Sequence, residues 1–114
     1  MHELSIAVNI VMVAQQESEA RGVEVGAVYL RLGALTGVEV SSLLFSYEIA
    51  SQGTPLQGSR LIIEEVPLTI YCSSCQTEFE LEGIQSIRCP ECHQLSGEIQ
   101  RGREIEIVAL EVKD

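Results

Sequence analysis

Apolar residues recur at helical spacing near the start of the chain, at Leu4, Ala7, Val8, Val11 and Ala14. Three further apolar residues widen this stripe, namely Ile6, Ile10 and Val13. We therefore expect a helix from residue 3 to about residue 20, buried over more than half of its circumference. Arg21 and Gly22 predict its end, because a cation and a left-handed residue both favour a helix C-terminus.

Alternating apolar and polar residues next predict a strand over residues 23–32, which Gly33 ends. A second helix is expected over residues 39–52, where Val40, Leu43, Leu44 and Tyr47 keep helical spacing. The stretch 60–72 has strand character that Pro67 interrupts, and residues 103–112 form a last strand. The expected fold is α+β, with a small three-stranded sheet packed against two helices and a small cysteine-rich insertion.

The cysteine-rich segment differs in character from the rest of the chain. Residues 71–97 hold all four cysteines and few large apolar side chains. We expect this segment to be a separate inserted module, and residues 1–70 and 98–114 to form one α/β domain.

Composition excludes several functional classes. The 114 residues carry a net charge of −10, and such a field repels nucleic acid but attracts a cation or a basic protein surface. Apolar runs fall short of the roughly 18–20 residues of a membrane span, and Glu3 stands where a secretion signal would be basic. We expect a cytoplasmic protein without a membrane or nucleic-acid partner, either a monomer or a homodimer.

Two Cys-x2-Cys pairs carry the strongest local signal. Cys72 and Cys75 form one pair, Cys89 and Cys92 form the other, and 13 residues separate them. Such turns can place four thiolates tetrahedrally around one zinc ion, as in a zinc ribbon. The alternatives are two disulfides or a redox dithiol. Because all four positions are cysteine, a zinc site would be closed and structural.

His93 and the first three residues are further candidates. His93 follows the second cysteine pair and is either a surface residue or a metal ligand. The α-amine of Met1, the backbone nitrogen of His2 and the His2 imidazole lie within chelating reach and offer three nitrogens in one plane, which favours Ni²⁺ or Cu²⁺. Alternatively, His2 and Glu3 only begin the helix.

Several of these features occur together in one known family. An N-terminal "MHE", a strand ending in "LRLG", an acidic residue before "SSL" and a late C-x2-C…C-x2-C-H resemble the hydrogenase nickel-incorporation family HypA. The resemblance implies a nickel metallochaperone that works with a HypB-type GTPase and delivers nickel to the large subunit of [NiFe]-hydrogenase. Some members of the family also serve urease maturation.

The resemblance also implies roles for individual residues. It implicates Met1, His2 and Glu3 for nickel, and the four cysteines for a structural zinc. Glu39 matches an acidic position that some members place near the nickel, and His93 matches the histidine that follows the second cysteine pair, so both are expected as auxiliary nickel ligands. Either the Glu3 backbone nitrogen or His93 could complete the nickel site. The segment after the first cysteine pair, residues 76–78, lacks the histidine that some members carry there.

Two other classes of function differ in how well the sequence supports them. A zinc-ribbon adaptor that binds a protein partner, without a nickel site of its own, is the alternative to the metallochaperone. An enzyme is not expected, because the sequence offers no Gly-rich phosphate loop, no open metal site made of protein ligands, and no nucleophile with a histidine base at a recognisable spacing.

Overall fold

The structure is a computed structural model that describes residues 2–83, 87–95 and 97–113. In chain order its elements are α1 (Glu3–Arg21), β1 (Val25–Gly33), a 3-10 turn (Ala34–Thr36), α2 (Val40–Ser51), β2 (Arg60–Val66), β3 (Leu68–Cys72), β4 (Thr77–Leu81), β5 (Glu98–Arg101) and β6 (Ile105–Val112). The strands form two three-stranded sheets, ordered β2-β1-β6 and β4-β3-β5. This confirms the α+β class and the sheet in which the last strand joins the first two.

Two compact units make up the chain. One comprises Met1–Leu30, Val38–Glu64 and Glu106–Asp114, and the other comprises Arg31–Gly37 and Glu65–Ile105. The first unit holds both helices, and the second holds the four cysteines. The division into functional domains expected from the sequence stays a prediction.

Helix α1 has the predicted limits. Gly22 adopts the left-handed conformation, with φ of 62°, and its N–H donates to the Glu19 carbonyl. The buried face of α1 consists of Ile6, Ala7, Ile10, Val11, Ala14 and Ser18. Leu4, Val8 and Val13 are 42–47% exposed, so the prediction that the helix is buried over more than half its circumference was wrong. The apolar pattern showed which residues could be buried, but not how much of the helix would be covered.

Helix α2 begins after Glu39 and buries Leu43, Tyr47 and Ser51. The Tyr47 hydroxyl lies 2.6 Å from the Ser59 hydroxyl, which stands just before β2. Burial raises the pKa of Tyr47, and the hydrogen bond with Ser59 partly offsets this. The contact therefore ties α2 to the loop that leads into the first sheet.

The second sheet positions the cysteines. Pro67 separates β2 from β3, as predicted, because proline has no N–H for a strand ladder. Strand β3 is central, and Ile70 lies opposite Phe79 of β4 and Ile99 of β5. Leu68 and Ile70 are fully buried, and Cys72 ends the strand. The core of this sheet thus reaches directly to the first cysteine.

Glycines allow a close backbone approach in the second unit. The Gly33 N–H donates to the Glu104 carbonyl, and the Leu35 N–H donates to the Gly102 carbonyl, both at 2.7 Å. A Cβ atom on Gly33 would overlap the Gly102 carbonyl group. Gly102 itself has φ of 126°, which only glycine adopts readily. These backbone contacts require glycine at position 33.

None of the helices in the described ranges is both long and apolar enough to cross a membrane.

Candidate metal centre

The four cysteines meet at one end of the second sheet. Cys72 is the last residue of β3, and Cys75 lies in the turn between β3 and β4. Cys89 and Cys92 belong to a second turn that precedes β5. All four sulfurs lie within 4.8 Å of one another. The fold therefore brings together two pairs that are far apart in the sequence.

Distances between the sulfurs fit a tetrahedral metal site. Cys72 Sγ lies 3.5 Å from Cys92 Sγ, and Cys75 Sγ lies 3.7 Å from Cys89 Sγ. Four sulfurs placed tetrahedrally at about 2.3 Å from zinc would be about 3.8 Å apart. A disulfide would instead hold two sulfurs about 2.05 Å apart, and all four cysteines are free. The donor set and its spacing thus fit zinc, and the closed set of four leaves no position for a substrate.

The second turn is built around Cys89. Its sulfur accepts hydrogen bonds from the backbone N–H groups of Glu91 and Cys92, both at 3.4 Å. Its carbonyl accepts from the His93 N–H, and its own N–H donates to the Gln94 carbonyl, both at 2.9 Å. This backbone frame holds the sulfur in place for a metal.

One side-chain hydrogen bond joins the two turns, and another lies within the second turn. The Ser74 hydroxyl donates to Gln94 Oε1 at 2.7 Å, across 20 positions of sequence. Arg88 Nη1 donates to the His93 carbonyl at 3.0 Å. Sequence reasoning missed Ser74 and Gln94, because two polar residues near cysteines give no signal that they will meet.

The pKa values of two of the thiols shift in opposite directions, downward for Cys89 and upward for Cys75. Burial raises the pKa of Cys89, but the N–H groups of Cys92 and Glu91 outweigh it and bring the pKa to about 7. The pKa of Cys75 rises to about 12, first because its thiol bonds with the Cys89 sulfur and then because of burial. A metal must displace the remaining protons, since thiolates are the ligands. Protons therefore compete with the metal for this site.

The N-terminal candidates belong to the first unit, whereas the cysteine cluster belongs to the second. His2 is exposed and caps α1 in an extended conformation, with φ of −80° and ψ of 124°. No side-chain hydrogen bond completes the cap, so the imidazole is not used by the helix. Glu3 is the first residue of α1, and Met1 lies outside the described residues.

The two auxiliary candidates lie in different units. Glu39 is exposed at the start of α2, and its carboxylate accepts hydrogen bonds from the Ser41 and Ser42 hydroxyls, which lower its pKa. His93 is exposed in a left-handed conformation, with φ of 66°. Within the described ranges, the four cysteines form the only group of three or more metal-ligating side chains. The role of Glu39 and His93 as auxiliary nickel ligands therefore stays a prediction.

Fold and site together define a class of protein: a small two-unit α+β chain with a closed cluster of four cysteines that could hold a metal. The profile of the family described as "Hydrogenase/urease nickel incorporation, metallochaperone, hypA" matches residues 1–112. The hydrogenase maturation factor HypA of Chloroflexus aggregans is 53% identical over 112 residues, which cover 97% of this chain and 98% of that protein. The chain belongs to the HypA family of nickel-incorporation metallochaperones.

Two solved structures share the fold of this chain. A solution structure of HypA protein superposes with a TM-score of 0.72 at 18% identity, covering 99% of this chain and 97% of that one. The solution structure of the Ni metallochaperone HypA from Helicobacter pylori gives a TM-score of 0.68, again at 18% identity, covering 98% and 97%. At these identities the likeness concerns the fold alone.

Proposed function

We propose that this protein binds Ni²⁺ at its N-terminus, through Met1, His2 and Glu3, and delivers it during maturation of [NiFe]-hydrogenase. The observation that carries the proposal is the match to the nickel-incorporation family over residues 1–112. The tetrathiolate cluster is closed, so a transported metal needs a different site. The transported nickel is therefore proposed to bind the other candidate ligands and not the four cysteines.

Local structure at the start of α1 supports the N-terminal site. The first hydrogen bond of the helix runs from the Ile6 N–H to the His2 carbonyl at 3.2 Å. The N–H groups of His2 and Glu3 precede it and have no partner within the helix. Both nitrogens could lose their protons to a metal without breaking helical hydrogen bonds. The resulting anionic nitrogens would offset the repulsion between the metal and the positive end of the helix dipole.

The four cysteines are proposed to hold a structural Zn²⁺. Cys72 and Cys75 would supply two thiolates from the first turn, and Cys89 and Cys92 would supply two from the second. Two free sulfur pairs at 3.5 and 3.7 Å support zinc over disulfides. The metal would supply much of the stability of the 71–97 module, while residues 1–70 and 98–114 would carry the nickel.

Glu39 and His93 are proposed as auxiliary nickel ligands, and not as members of the three-nitrogen chelate formed by Met1 and His2. The Glu3 backbone nitrogen is favoured as the fourth donor, because it already lies beside His2 in the chain. Recruitment of His93 would instead couple nickel binding to the position of the zinc module. Loss of nickel binding in a His93→Ala variant would show that the second arrangement applies.

Partners follow from the family and from charge. We propose that its partners are a HypB-type GTPase and the large subunit of [NiFe]-hydrogenase, with urease maturation proteins as a further class of partner. A net charge of −10 favours basic partner surfaces and argues against nucleic acid. A cytoplasmic protein without catalytic activity is proposed, and the free cysteines agree with a reducing compartment.

Nickel titration of the untagged protein tests the proposal. The native chain should bind about one Ni²⁺, and both His2→Ala and one Gly added before Met1 should weaken binding at least about tenfold, or 1.4 kcal/mol. The added residue turns the Met1 amine into an amide, which is a poorer donor. One Gly added after Asp114 is the matched control and should bind like the native chain. Equal affinity in the two extended proteins would refute the amine as a ligand.

A further inference from the structure

The four sulfurs of the cluster differ in their access to solvent. Cys72 and Cys89 are buried, with 4% and 0% exposure. Cys75 and Cys92 are half-buried. A reagent from solvent can therefore reach the site most readily through Cys75 or Cys92.

These two accessible sulfurs differ in hydrogen bonding. Cys92 receives a backbone hydrogen bond from Gln94. The hydrogen-bond neighbours of the Cys75 sulfur in the described part of the chain are other cysteine sulfurs, with Cys89 at 3.7 Å, and not backbone N–H groups. Backbone donors thus support the second turn and leave Cys75 without such support.

Hydrogen bonding changes the reactivity of a thiolate. An N–H donor stabilises the negative charge on sulfur and so lowers its tendency to attack an electrophile. With zinc bound, all four cysteines are thiolates, because only the thiolate binds the metal. Differences in reactivity among the four thiolates then depend on their access to solvent and on their hydrogen bonds, and not on which thiol holds a proton.

We propose that Cys75 is the modification site of the zinc centre, where a soft carbon electrophile such as an α,β-unsaturated carbonyl reacts first. The Cys75 sulfur forms a bond to the β-carbon, the π bond between the α- and β-carbons breaks so that a single bond remains, and the α-carbon takes a proton from water, which leaves as hydroxide. The thioether is a poor zinc ligand, so zinc keeps three thiolates and becomes labile. The inference rests on the proposed zinc site, and it makes the first turn the point at which the module opens.

Competitive alkylation of the zinc-loaded full-length protein tests this assignment. Zinc content is measured first, and the protein then reacts with less than one equivalent of N-ethylmaleimide. Denaturation in urea with a chelator and excess isotopically heavy N-ethylmaleimide labels the remaining thiols. Tandem mass spectrometry then gives the fraction of each cysteine that carries the light label. Cys92, which is also half-buried, serves as the internal control.

Light label at Cys75 should exceed that at Cys92 by about fivefold, the ratio expected for one net hydrogen bond of about 1 kcal/mol. In zinc-free protein unfolded in urea, the four cysteines should react at similar rates. Equal or faster labelling of Cys92 in the zinc-loaded protein would overturn the inference, as would the same Cys75 preference in the unfolded chain. A protein that binds no zinc would instead refute the proposed zinc site, so the two failures are distinguishable.

Discussion

Replacing Cys89 by alanine should unfold the second unit while α1 stays folded. Cys89 is fully buried, and its sulfur accepts hydrogen bonds from two backbone N–H groups, so the change removes both a proposed zinc ligand and the centre of the second turn. Structural zinc contributes roughly 10–16 kcal/mol in small zinc domains, whereas a whole domain is stable by only about 5–15 kcal/mol. Loss of the metal should therefore exceed the net stability of this unit.

Hydrogen exchange followed by mass spectrometry measures this effect. Ile70 lies on the central strand β3, between β4 and β5, so its amide should be among the best protected in the unit. Losing about 5 kcal/mol would speed its exchange by three to four orders of magnitude. Ser73→Ala, in the exposed part of the first turn, is the matched control and should keep both zinc and protection.

One result would refute this reasoning directly. If Cys89→Ala contains no zinc and the β3 amides still exchange slowly, the unit does not depend on the metal for its fold. Faster exchange throughout α1 as well would show that the two units unfold together.

Three further predictions concern other parts of the chain. Gly33→Ala should destabilise the protein by about 1–3 kcal/mol in chemical denaturation, because its Cβ meets a backbone carbonyl group; Gly83→Ala, whose added Cβ meets nothing within 4 Å among the described residues beyond its chain neighbours, should change little. Tyr47→Phe should cost about 1 kcal/mol in thermal denaturation, since the Tyr47 hydroxyl loses its 2.6 Å contact with Ser59; an unchanged melting temperature would contradict this. Association with a HypB-type GTPase, followed by stopped flow, should slow as salt rises; no binding at low ionic strength would rule out that partner.

Local sequence patterns were sufficient for several features of this chain. Two Cys-x2-Cys pairs indicated a cluster of four cysteines, because two ligands with two residues between them can converge within one turn. Gly22 indicated the end of α1, and Pro67 indicated the break between β2 and β3. Each of these depends on the conformation of a few neighbouring residues, which the residue types themselves restrict.

Burial along α1 depended on tertiary packing. Leu4, Val8 and Val13 belong to the apolar pattern of the helix, yet they are exposed. An apolar side chain is buried only where another element covers it, and helical spacing does not show how wide that cover is.

The second sheet and the differences among the four cysteine sulfurs also could be seen only in the structure. Thr69 of β3 pairs with Arg101 of β5, and Ser74 bonds to Gln94, although these partners are 20 or more residues apart. Such contacts form because the folded chain brings distant strands and turns together, and residue types alone do not determine which distant groups will meet. The sequence by itself thus determined which atoms could bind a metal, and the tertiary structure decided which of those sulfurs are covered and hydrogen-bonded.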